Sequence, residues 1–151
     1  MINNPRLREF PLECEPENGC ARIMISGEHH RITQVDLFTI NHLGVNNTND
    51  IIRNCVDKQS QSRIEYTGST NASPSFLHVN FASIFWGFID DMTIEVIPCA
   101  YFDKVNSKTL GDNSTVMDNI QPALAIQVQS QLRLGKSDFG VNPQRIANFY
   151  K

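Results

Sequence analysis

The sequence predicts a mainly β fold, an antiparallel β-sandwich or jelly-roll-like barrel of about seven or eight short strands with one short helix. Three observations predict it. Met92, Ile94 and Val96 alternate with Thr93 and Glu95, the period-two pattern of a strand with one buried face. The same alternation runs through 123–134, with Leu124, Ile126, Val128, Ser130, Leu132 and Leu134 on one face and Ala125, Gln127, Gln129, Gln131 and Arg133 on the other. Turn-forming Pro, Gly and Asn recur between these stretches, as they do in sheets built from short strands.

Taken in order, residues 7–26 read as a hairpin: Phe10 to Cys14, a Glu15-Pro16-Glu17-Asn18-Gly19 turn, then Cys20 to Ile25. Proline presets φ and Asn-Gly accepts positive φ cheaply, which is why this run favours a turn. Cys14 and Cys20 then fall near opposite positions; a disulfide fits that geometry, but a reducing compartment favours two free thiols. The β-branched run Arg31–Ile40 predicts a strand. Residues 44–50 read as a polar loop whose last residues cap a helix over 50–59, where Ile51, Ile52, Cys55 and Val56 recur at helical spacing. A short strand at 63–66 and a hydroxyl-rich loop at 67–75 follow.

Residues 76–102 carry the only Trp and the densest apolar sequence, and are read as the central hairpin of the core with Asp90-Asp91 at its turn. Phe81, Ile84, Phe85 and Phe88 fit helical spacing nearly as well, so residues 81–89 stay open between strand and helix. Pro98 interrupts the pattern, and 103–119 reads as an extended surface loop. The 151-residue chain is read as one domain, a length that buries roughly two thirds of the surface its unfolded chain exposes, with arms at residues 1–8 and 139–151.

The chemistry is read mainly from missing patterns. There is no phosphate-binding Gly-rich loop followed by Lys-Ser/Thr, no Gly-x-Ser-x-Gly and no His-Glu-x-x-His, so no catalytic residue is assigned. His29 and His30 point to opposite faces of an extended chain, and His42 and His78 are distant, so all four are read as surface histidines and no metal site or cofactor is expected. Cys55 and Cys99 stand alone, without the paired short spacing of a zinc site. A net charge of −3 with scattered basic residues argues against direct nucleic-acid binding. No window is long and apolar enough for a membrane span, and the start Met1-Ile2-Asn3-Asn4-Pro5-Arg6 lacks the apolar run of a signal peptide. Three Asn-x-Ser/Thr sequons, at Asn46, Asn71 and Asn113, are read as chance in an Asn-rich chain.

The resulting expectation is a non-enzymatic structural subunit of a larger assembly, most concretely a viral or bacteriophage virion component such as a capsid, cement or tail protein. Its partners are then other copies and other subunits, and it resides in the virion after assembly in a host cytoplasm, or in the cytoplasm itself. Neutral polar surfaces suit wet, repeated contacts, which nominates Arg6, Arg8, Gln127, Gln129, Gln131, Phe149 and Tyr150 as subunit contacts. A carbohydrate-type ligand-binding module using loops near 46–50 and 104–119 is the second expectation. A small enzyme with a Cys-His or carboxylate site is the third.

Overall fold

A computed structural model describes residues 7–32, 39–40, 44–70, 73–83, 87–98 and 124–150. In order, they form a 3-10 turn at Glu17–Gly19, β1 (Cys20–Ile23), β2 (Thr39–Ile40), α1 (Val45–Asp57), β3 (Ser62–Gly68), β4 (Ser75–Ala82), β5 (Ile89–Pro98), β6 (Leu124–Leu132) and α2 (Val141–Phe149). The fold is mainly β, as predicted. The described strands make one antiparallel sheet in the order β1-β6-β5-β4-β3, with β2 pairing β6 beside β1. A second sheet, which a sandwich or jelly roll requires, is not found among the described residues. Among the described residues two α-helices are present, α1 near the one short helix expected and α2 within the segment read as the C-terminal arm.

Alternation decides which way each strand faces. On one face Leu77, Val79 and Phe81 of β4 lie opposite Ile94, Met92 and Asp90 of β5, while Val96 and Ile94 meet Ile126 and Val128 of β6. Ala21 and Ile23 of β1 complete the row against Ser130 and Val128. Both helices pack on this face, for Ile52 and Val56 of α1 and Ile146 of α2 belong to the same buried cluster. Each large apolar side chain buried here contributes about 1.5–3 kcal/mol.

Several expected elements change. α1 begins at Val45 rather than Asp50, so the segment read as a polar loop is its first turns. Thr48, Ile52 and Val56 are its buried stripe, and the Thr48 Oγ1 donates to Gly44 O at 3.2 Å. Asp90 and Asp91 do not turn the chain; they are buried inside β5, and the reversal falls between Ala82 and Ile89. That settles the open half in part: 81–82 and 89 are strand, and 84–86 lie outside the described residues. The N-terminal hairpin does not form, because β1 pairs with β6 and residues 7–14 contain no strand. Arg31 and Ile32 are not in a strand, Thr39 and Ile40 are, and 33–38 lie outside the description. So do Cys99 and the predicted loop 103–119. Cys14 and Cys20 are joined in a disulfide, not held as two free thiols. Among the described residues no helix is long and apolar enough to cross a membrane.

Candidate functional site

Opposite the helices, the sheet presents a face that is polar and yet buried. Asp91, Thr93 and Glu95 point from β5, flanked by Asn80 and His78 of β4 and by Gln131, Gln129 and Gln127 of β6. Burial of so many polar groups is tolerable only when they are hydrogen-bonded to one another. His78, fully buried, meets Asp91 Oδ1 through Nε2 at 2.7 Å and accepts the Leu7 backbone N–H on Nδ1 at 3.2 Å. Arg133 donates to both Asp91 oxygens, at 3.0 and 2.5 Å, and to Asn80 Oδ1 at 3.0 Å. Burial pushes the Asp91 carboxyl up, but the His78 and Arg133 hydrogen bonds outweigh it and hold Asp91 below the usual carboxylate range. The same carboxylate lifts the Arg133 guanidinium above its ordinary value.

Further along the strands, Glu95 accepts from Thr70 Oγ1 and from Gln127 Nε2, each at 2.5 Å. Gln129 accepts from Arg22 Nε at 2.6 Å, and its amide donates to Glu13 O at 2.9 Å and to Gln131 Oε1 at 2.5 Å. Burial lowers the Arg22 pKa from its ordinary value, against a smaller opposing pull from Glu28. Thr93 Oγ1 is buried without a partner among the described residues. Both ring nitrogens of His78 are engaged, one by a carboxylate and one by a backbone N–H, so it has no free nitrogen with which to move a substrate proton.

The second feature is a cleft of about 1130 Å³ between α1 and α2. Phe81 and Ala82, at the end of β4, lie in it; Ile51 and Cys55 line it from α1, Lys58 from just past the end of α1, and Val141, Gln144 and Arg145 from α2. Arg145 is fixed in place: it donates to Asp90 Oδ2 at 2.9 Å, Asn142 Oδ1 at 2.6 Å and Ser130 Oγ at 3.2 Å, and lies 4.5 Å from the Phe81 ring centroid. Burial pushes the Asp90 carboxyl up, and Arg145 only partly offsets it. Lys58 and Arg145 are the charged residues described in the lining, and both are cationic.

At the mouth, Phe139 is 96% exposed with φ of 52°, a left-handed conformation that a bulky residue adopts at a cost. Asp138 holds this turn. Its carboxylate accepts the Gly140 and Asn142 backbone N–H groups at 2.9 and 3.0 Å and takes a paired contact from Arg31 at 2.8 and 3.2 Å. Burial opposes the Asp138 charge, but these donors prevail and its pKa is lowered.

The nominated contact residues are placed differently from the expectation. Gln127 and Gln129 are buried and Gln131 is half-buried, so the glutamine row is internal wiring, not an open surface. Tyr150 donates its hydroxyl to Ile126 O at 2.9 Å, and Phe149 packs edge-on against it at 5.5 Å; both lean on the core. Burial pushes the Tyr150 hydroxyl pKa up. Arg8 is exposed and lies 5.8 Å from the Tyr66 ring centroid, and Arg6 is outside the described residues. The histidines divide: His29 and His30 make local backbone contacts, His78 is fully buried where a surface position was expected, and His42 is outside the description. Among the described residues no three His, Cys, Asp or Glu side chains are grouped to hold a metal ion. Sequence reasoning missed the cleft. Its one local signal is that Ile51 and Val141 are apolar residues lying off the buried stripes of their helices.

These features define an antiparallel meander extended at β6 by its own first strand, with a helix-lined cleft on one face and a covered polar network on the other. The chain belongs to a family described as a protein of unknown function (DUF1499), whose pattern matches residues 21–151. Comparison with curated proteins and with solved structures finds no match.

Proposed function

We propose that this protein is a non-enzymatic subunit of a larger assembly, docking an apolar, acidic segment of a partner protein in the cleft between α1 and α2. The observation that carries this reading is the make-up of the cleft. Ile51, Phe139 and Val141 expose large apolar surface around it, and its described charged lining is Lys58 and Arg145. Apolar groups gathered at a groove mark contact surfaces, and a groove between helices suits a segment that lays down apolar anchors. Arg145 is already paired with Asp90, so exposed Lys58 is the lining cation left to meet an acidic group of the partner. A virion setting is the narrower form of this proposal; the family match lends it no support, and the partner is named here only by its chemistry.

Fluorescence anisotropy of a labelled peptide with Leu and Glu at helical spacing tests the reading. Saturable binding is expected, weakened about tenfold, or about 1.4 kcal/mol, by Lys58→Glu or Val141→Asp. Both positions are exposed, so neither change should lower the melting temperature. Equal binding of a Leu/Lys peptide, binding of neither peptide, or indifference to both substitutions overturns the proposal.

A further inference from the structure

We infer that residues 7–14 form a strap over the polar sheet face, latched by the Cys14–Cys20 disulfide and released by reduction, which uncovers that face. The inference is independent of the cleft. The strap has no regular secondary structure, and its described contacts run the width of the sheet. At one end the Leu7 N–H binds His78 on β4. At the other, Arg22 of β1 donates to Pro11 O at 2.8 Å and Leu12 O at 3.2 Å, and Gln129 of β6 donates to Glu13 O. Among the described residues, no backbone-to-backbone hydrogen bond joins the strap to the sheet. Leu12 is 95% exposed, so the strap gains little from apolar burial there. Leu7, Phe10 and Pro11 are half-buried, and a segment held by such side-chain contacts opens more easily than the fully buried core beneath it. Its covalent latch is therefore the natural control point.

The unequal burial of the two cysteines supports this. Cys14 is partly exposed while Cys20 is fully buried, so an incoming thiolate reaches the Cys14 sulfur. Attack by one thiolate of a dithiol reductant forms a mixed disulfide at Cys14 and expels the Cys20 thiolate. The reductant's second thiolate then displaces Cys14, so the reductant leaves as a disulfide and both cysteines end as thiols after taking up two protons. Two electrons pass from the dithiol to the latch. With the strap gone, His78 Nδ1 and a Gln129 amide donor lose their partners beside Thr93 Oγ1, which already has none among the described residues.

Diethylpyrocarbonate labelling of the full chain, with and without dithiothreitol, tests the latch, using exposed His29 as the reference. His78 is expected to be shielded in the oxidised protein. On reduction its labelling rises about tenfold or more, strap amides exchange faster, and Met92–Val96 stay protected; reoxidation reverses the change. The Cys14→Ser/Cys20→Ser variant should behave as reduced under both conditions. The inference is overturned if His78 stays shielded in the reduced protein and the variant. It is equally overturned if β5 loses protection together with the strap, since the bond would then support the whole fold.

Discussion

Asp90 and Asp91 are chemically identical neighbours with opposite roles, because strand alternation sends one toward Arg145 under the helices and the other toward His78 and Arg133. Two consecutive acids between apolar runs read as a turn, and nothing local reveals that each has an arginine supplied by a segment beyond β5. Asp91→Ala leaves the buried Arg133 and His78 without their carboxylate. Its expected cost is about 3–5 kcal/mol in chemical denaturation, and a cost below 1 kcal/mol would count against the network. The two acids also differ in acid. Asp91 has its folded pKa below the unfolded value of about 3.9, so its contribution is present above that value and is lost as pH falls through the folded one. Asp90 has its folded pKa raised, so the folded state takes up a proton first and gains stability as pH falls through that raised value. Stability measured against pH should therefore fall less on acidification in Asp91→Asn than in the parent, and more in Asp90→Asn. Identical acid limbs in the two variants would contradict the assignment.

At the scale of elements, alternation made β5 and β6 legible, since Met92, Ile94, Val96, Ile126 and Val128 all face the core as their spacing requires. The helices were less legible. Asn46, Asn47 and Asn49 favour loops, yet they are carried into α1 because Thr48 starts the stripe that Ile52 and Val56 continue. The glutamine row of β6 was read as an open surface because its cover lies far off in sequence: Arg22 and Glu13 are both more than a hundred residues from Gln129. Burial of His78 was illegible for the same reason. A proline at position 50 discriminates the two helix starts. Were Asp50 the first helical residue, proline would be well tolerated there. Inside a helix that begins at Val45 it removes a backbone hydrogen bond, and Asp50→Pro should cost about 3 kcal/mol or more in thermal or denaturant unfolding. A near-neutral result would restore the later start.

The molecule as a whole is held by pairings between distant parts of the chain. β3 through β6 follow one another across the sheet, but β1 returns to pair with β6, and α2 packs over both. Asn142 of α2 binds Gly19 O at 2.9 Å and Ser130 Oγ at 2.5 Å, so the C-terminal helix ties the start of β1 to β6. The segment read from sequence as a final turn of helix or an arm is thus a clasp on the β1–β6 strand pair. Ile146, fully buried in the common core, is the point at which to test it. Ile146→Ala should cost about 2–5 kcal/mol, the range for truncating a buried isoleucine. If α2 is a clasp, hydrogen exchange in that variant accelerates in β1 and β6 together with α2, because all three share one cooperative unit. If α2 were an arm resting on a sheet that is complete without it, only α2 would lose protection while β1 and β6 kept theirs.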